Sequence, residues 1–242
     1  MIFSSLSPYR KWLILGLCLQ VIAAWYSLGY NQPDEHFQVL EYSNYKMGYS
    51  PASDLPWEFS EKCRSAIQPF IACCIFKPLH AMGLFNPFAA VFLLRLLMGI
   101  FTWVVTCRIL VLLLPEFTTE RGKQIYVWCS FFLWFVPYLG VRFSSEHLAG
   151  LLFFLALSLF LKERRNPGPS HRYNIAAAGL LLGFALFLRV QLAFAFAGLG
   201  IWMLFINKWQ WRDWVILACF FLMGCGGSVL IDHWFWIGRA HV

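Results

Sequence analysis

Long apolar stretches, near 12–30, 88–114, 124–141, 147–161, 173–188, 191–206 and 214–231, dominate this 242-residue chain. Lipid offers the backbone no hydrogen-bond partner, so a crossing segment is a helix of ~20 mostly apolar residues. The pattern therefore predicts an all-α polytopic membrane protein. Composition agrees, because 60% of the residues are hydrophobic, against ~45–50% in a soluble domain. Arg10 and Lys11 precede the first run as they would in a signal peptide. That run reaches about Tyr30 without a small-residue cleavage pattern, so it is expected to be a retained span. The segment 66–85 is broken by Lys77, Pro78 and His80 and reads as an amphipathic helix lying in the membrane interface.

The charge of +7 does not point to nucleic acid, which would need a basic face with interleaved aromatics on a soluble module. The basic residues instead cluster between apolar runs: Arg10 and Lys11; Arg121 and Lys123; Lys162, Arg164, Arg165 and Arg172; Lys208 and Arg212. With alternating spans these fall on one side, which the positive-inside rule makes cytoplasmic. Residues 166–172 are then a helix-breaking cytoplasmic loop. The eight cysteines form no CxxC pair and read as packing residues rather than a zinc site or disulfide framework. No GxGxxG or Walker loop supports a nucleotide cofactor. The glycines at 224–227 are placed to bring helices close together.

The opposite, non-cytoplasmic side receives the 31–87 loop and the turns 141–147, 188–191 and 231–236. Pro33 to Pro69 is the longest polar interval, and it opens on adjacent carboxylates, Asp34 and Glu35. Neighbours on a helix point about 100° apart, so the two carry different roles. A carboxylate at a lipid–water boundary is partly desolvated, which strengthens it as a general base toward an acceptor hydroxyl. On an α-helix Gln38 and Glu41 share a face with Asp34 and suit hydrogen bonding to a sugar. The plain alternative is a helix start, with Pro33 in the first turn and carboxylates favoured by the dipole. Tyr49, Trp57 and Phe59 suit sugar stacking or headgroup anchoring. Arg64, Arg142 and Arg189 suit a lipid phosphate, whose oxygens match the guanidinium fork, or else pair with Glu58, Glu61 and Glu146. Taken singly, such polar groups are caps and anchors. Their convergence is the signal: Asp34, Glu35, Arg142, Glu146, Arg189, Gln191, Asp232 and His233 all fall at one membrane face.

The series Pro33-Asp34-Glu35, Gln38, Glu41, then Gly48-Tyr49, Trp57-Glu58-Phe59, Arg64-Ser65 and Pro69, resembles the family-22 glycosyltransferases, mannosyltransferases of the GT-C fold. The later turns agree: Arg142, Ser144, Ser145 and Glu146; Arg189-Val190-Gln191; and Asp232 with Trp234 and Phe235. Gln32 departs from the histidine common before the proline. The resemblance implies a GT-C-type helical bundle whose long non-cytoplasmic first loop carries amphipathic helices. It further implies mannose transfer, with inversion, from a polyprenyl- or dolichyl-phosphate donor to a glycan or glycolipid acceptor, as in GPI-anchor and N-glycan assembly. Asp34 is then the catalytic base and Glu35 orients it or the acceptor. Gln38, Glu41, Trp57, Glu58, Arg64, Arg142, Glu146, Arg189, Gln191, Asp232 and His233 are the substrate-binding set. No ligand cluster calls for a metal, and no cofactor beyond the lipid-linked sugar is expected.

Residues 1–236 are expected to be the N-terminal part of such a catalytic domain, since family members are generally longer. The last six, Ile237 to Val242, match one frame of a common sequencing adapter and are expected to be read-through. The expected location is a bacterial inner membrane, with the endoplasmic reticulum as the alternative. Competing readings are a transporter, whose pathway buried charges such as Arg95 or Arg108 would mark, and a non-catalytic membrane subunit.

Overall fold

The computed structural model describes residues 6–165, 168–207 and 209–237. Asn166, Pro167 and Lys208, and the expected read-through tail from 238 onward, lie outside the described residues. Helices follow one another along the chain: α1 (Arg10–Tyr26), a π-helix (Glu35–Leu40), α2 (Glu41–Lys46), α3 (Trp57–Ser60), α4 (Ile67–Ala81), α5 (Pro87–Leu113) and α6 (Glu120–Phe132). Then come α7 (Phe135–Gly140), α8 (Ser145–Arg165), α9 (His171–Leu188), α10 (Ala193–Trp202) and α11 (Trp211–Ile237). Four segments are long and apolar enough to cross a membrane: Pro87–Glu116, Ser145–Arg165, His171–Leu188 and Trp211–Trp236. The protein is thus an all-helical, multi-pass membrane protein.

Three expected spans are shorter or interrupted. Helix α1 has 17 residues, about 25 Å at 1.5 Å per residue against a hydrocarbon core of ~30 Å. The 124–141 run breaks at Leu133, which is extended, and restarts as α7. Pro137 sits in the first turn of α7, where a missing N–H costs nothing. The 191–206 run forms an apolar helical stretch, Val190–Phe205, short of the ~20 residues a crossing helix needs.

The chain divides into two compact units. The first contains 1–31 and 85–143. Leu13 of α1, Cys107 and Leu110 of α5, and Val127 and Phe131 of α6 form its core with Leu6, Tyr9 and Leu114. Gly16 is required where α1 meets α6, because a Cβ there would lie 2.7 Å from the Phe131 ring. Thr102 donates to the Gly140 carbonyl at 2.7 Å and the Trp103 indole to Leu13 at 2.9 Å, tying α5 to α7 and α1. Arg95 donates to the carbonyls of Ser27 and Gly29 just beyond α1, the end of a helix that favours a cation. That gives it a capping role.

The second unit contains 32–84 and 144–242. Helices α9 and α11 approach until their backbones touch. A Cβ on Gly183 would lie 2.4 Å from the Phe221 carbonyl oxygen, and one on Gly224 2.5 Å from that of Leu180. Helix α8 packs on α9 through Ala156, Leu159, Phe160, Ala178 and Leu182. At one end of this group His171 lies between two carboxylates, with Nδ1 3.0 Å from Glu163 and Nε2 3.3 Å from Asp213. Asn174 also donates to Glu163. The ends of α8, α9 and α11 are thereby joined.

The loop helices pack at the opposite end of α8 and α9. Helix α4 buries Pro69, Ala72, Cys73 and Phe76 on one face, at a spacing of three to four residues. Tyr42 of α2 and Phe235 of α11 close a small core with Ala66 and Cys73, and Phe59 and Trp236 pack against it. Phe59, expected to stack on a sugar or anchor at headgroups, instead lies edge-on to Tyr42, Tyr45 and Trp236 within 5.1 Å.

Candidate active site

Gln32 to Glu35 form a capped helix start. Glu35 is buried, and its Oε1 accepts the Gln32 backbone N–H at 3.2 Å, half of a capping box. Pro33 sits in the first turn. The helix-start reading therefore holds for Glu35, while Asp34, one residue earlier, keeps its carboxylate toward a cleft. Adjacency has given the two acids different directions, as expected.

The next turn widens. The Glu41 N–H bonds the His36 carbonyl, an i→i+5 link that brings residues five apart together. Glu41 consequently pairs with His36 at 3.3 Å. It does not share the face of Asp34 and Gln38 as an α-helical repeat predicts, and that expectation is corrected.

Asp34 is gripped on both oxygens. Gln38 Nε2 donates to Oδ1 at 3.1 Å, and Arg189 Nη2 donates to Oδ2 at 3.1 Å. Arg189 caps the end of α9 in extended conformation, which turns its side chain back across the start of α8. There its Nε donates to Ser145 Oγ at 2.7 Å, and Nη2 also meets Glu146. The Gln32 amide, oriented by its acceptors, donates to both Glu146 oxygens at 3.0 and 3.1 Å. Ser144 Oγ accepts the His147 N–H at 3.2 Å, the N-cap that starts α8 and holds Ser145 and Glu146 in its first turn.

On the other flank Gln38 Nε2 also donates to Glu58 Oε2 at 2.8 Å. Glu58 Oε1 takes Arg64 through Nε at 3.3 Å and Nη2 at 2.9 Å. Burial pushes the Glu58 carboxyl up, but the bonds from Arg64 and Gln38 and the charge of Arg64 outweigh it. The carboxyl is held below its usual range.

The cleft beside Asp34 has a volume of about 30 Å³ and is lined by Gln38, Arg64, Ser65, Gln68, Ser145 and Leu188, among others. That holds roughly two waters, so a hexose requires the side chains around it to move. Gln68 escaped the sequence reading. It is 4% exposed on α4, and an amide within the apolar run that opens that helix is the signal that marks it.

Asp232 acts one step away. Its Oδ1 accepts the Ala66 N–H at 2.7 Å and lies 3.4 Å from Ser65 Oγ, at the start of α4. It caps a helix from another segment and so fixes two walls of the cleft, Ser65 and Gln68. Trp57, Gln191 and His233 are exposed at the surface. Arg142 belongs to the first unit, where it is buried, donates to the Gly29 carbonyl at 3.1 Å and lies 4.9 Å over the Tyr138 ring. Among the described residues no three His, Cys, Asp or Glu side chains gather as a metal site would.

The model of the Alg9-like mannosyltransferase family matches residues 11–242. GPI alpha-1,2-mannosyltransferase 3 of Xenopus laevis is 24% identical over 233 residues, covering 84% of this chain and 43% of that protein. Its namesake from Homo sapiens is 27% identical over 167 residues, 67% of this chain and 29% of that protein. The chain therefore spans less than half the length of these relatives. No solved structure gives a significant match. The relatives are vertebrate and lend no support to a bacterial inner membrane.

Proposed function

The chain belongs to the Alg9-like mannosyltransferase family, and from that premise we propose that it transfers mannose from a dolichyl-phosphate donor to a glycolipid hydroxyl. Asp34 removes the proton of the acceptor hydroxyl. The hydroxyl oxygen attacks C1 of the mannose from the face opposite the phosphate, and the C1–O bond breaks with its electron pair leaving on the phosphate. Configuration at C1 inverts. A phosphate leaving group needs no proton, so one base suffices.

The observation that carries this reading is the grip on Asp34: one amide and one guanidinium hold its carboxylate at a polar cleft. Reactants must be placed to within about 1 Å to react fast, and a carboxylate held on both oxygens meets that demand. Arg189 is the candidate for the donor phosphate, whose developing charge its guanidinium would offset. Glu146 and Ser145 hold that guanidinium. Asp34 and the arginines Arg164 and Arg165 lie at opposite ends of α8, about 30 Å apart along its axis. This supports a non-cytoplasmic site if the basic end faces the cytoplasm.

The relatives' names suggest an α-1,2 linkage in GPI assembly, and the endoplasmic reticulum is the membrane we propose for it. The test is to express the full-length protein in membranes and supply mannose labelled in dolichyl-phosphate mannose or in GDP-mannose. The reading expects label in glycolipid from the lipid-linked donor alone, with synthesis of dolichyl-phosphate mannose blocked. Transfer from the nucleotide sugar under that block would overturn it.

A further inference from the structure

Gln38 is buried, 9% exposed, and both hydrogens of its side-chain amide are already committed, one to Asp34 and one to Glu58. A substrate hydroxyl would have to displace a carboxylate to use either. Ionised carboxylates only accept, so the amide cannot turn over: its oxygen would then face two acceptors. Glu58 is in turn held by two bonds from Arg64, both to Oε1, which leaves Oε2 to Gln38. The order Arg64, Glu58, Gln38, Asp34 is therefore a directed chain in which each group fixes the next.

On the reading of Asp34 as base, we propose that Gln38 is a positioning residue. Its amide, oriented by the Glu58–Arg64 pair, fixes the rotation of the Asp34 carboxylate so that one oxygen faces the acceptor hydroxyl. Gln38 is neutral and gives up no proton, so it orients the base without competing for the proton the base receives. The local backbone favours this use. Gln38 meets Asp34 at 3.1 Å, while the widened turn sends Glu41, the nearest further acid, to His36. Glu58 and Arg64, expected to bind substrate, thereby become the support of the base. The depressed Glu58 carboxyl agrees, since an acid that stays ionised keeps the Gln38 amide facing it.

The test compares Gln38→Leu, Glu58→Gln, the double variant and Gln38→Glu in the full-length protein, assayed with dolichyl-phosphate mannose and a mannosylated glycolipid acceptor. Protein is normalised to the monodisperse fraction in detergent. Gln38→Leu is expected to lower kcat about 10- to 100-fold, the scale of a misplaced reacting group, with acceptor KM within about threefold. Glu58→Gln lowers kcat less, and the double variant is no slower than Gln38→Leu, because groups in one network are not additive. Gln38→Glu can bridge only while protonated, so its rate falls with rising pH where the parent's does not. A raised acceptor KM at unchanged kcat would make Gln38 a substrate contact and overturn the proposal. So would multiplicative losses in the double variant, or parental kinetics in Gln38→Leu. If Gln38→Leu does not fold, Glu58→Gln at parental kcat overturns it alone. Asp34→Asn separates the levels: retained transfer removes the functional reading beneath, whereas a dead Asp34→Asn beside a parental Gln38→Leu removes only this inference.

Discussion

Arg189 Nη2 lies 3.1 Å from Asp34 Oδ2, although 155 positions separate the two residues. The contact joins the end of α9 to the start of the polar loop, and the same guanidinium reaches Ser145 and Glu146 on α8.

A lysine at position 189 carries the charge but not the fork. Arg189→Lys is expected to lose about 100-fold in kcat/KM, with Glu146→Gln milder. Removing a hydrogen-bonded partner from a charged group costs ~1.5–3 kcal/mol, about 10- to 150-fold, and the loss at Arg189 is expected toward the upper end. Steady-state kinetics on both variants checks it; equal losses for the two would contradict the central place given to Arg189.

Glu58 makes stability depend on acid. Burial raises its carboxyl, and the bonds from Arg64 and Gln38 lower it further than burial raises it. A depressed folded value contributes stability in full above the ordinary 4.5, and the contribution is lost as pH falls through the folded value. Arg64→Met removes the bonds and the charge, so the variant is less stable than the parent above that range and loses less as pH falls, the two converging in acid. Melting temperatures in detergent across an acid series read this directly.

The contact of α9 with α11 tolerates no side chain at Gly183, whose Cβ would lie 2.4 Å from a backbone oxygen. Gly183→Ala is expected to lower the Tm, since overpacking costs ~1–3 kcal/mol. Gly198 on α10 has nothing within 4 Å of a built Cβ. Gly198→Ala is expected to leave the Tm unchanged or raise it, because alanine favours a helix.

At the far end of α8, His171→Phe keeps a ring but removes its contacts to Glu163 and Asp213. Glu163 is 6% exposed, and leaving a buried acceptor short of a partner costs ~1–3 kcal/mol. The Tm should fall while kcat per folded molecule stays at the parental value.

Much of this was legible in the chain itself. The long apolar runs predict the helices, and Asp34, Glu146 and Arg189 could be grouped because alternating spans return their turns to one side. Glu41 was misplaced because apolar spacing does not reveal a π-helical turn, which needs only one extra residue in the hydrogen-bond ring. Gln38, Glu58 and Arg64 were read as ligands for a sugar or phosphate, with ion pairing of Arg64 to a glutamate such as Glu58 as the alternative; the link of that pair through Gln38 to Asp34 depends on folding of the 32–84 loop, which no local pattern encodes. Asp232 was found as a polar residue at a span's end, but its partner, the backbone of Ala66, leaves no mark in a side-chain pattern.

Asp34 is the group we propose takes the acceptor's proton. Asp34→Asn keeps the size of the side chain and can still accept a hydrogen bond from Gln38, but it has no carboxylate to receive a proton. Transfer from dolichyl-phosphate mannose, measured on the folded full-length variant, is expected to fall by about 10³-fold or more, within the 10²–10⁴ typical of lost general-base catalysis. Transfer within about threefold of the parent would contradict the account.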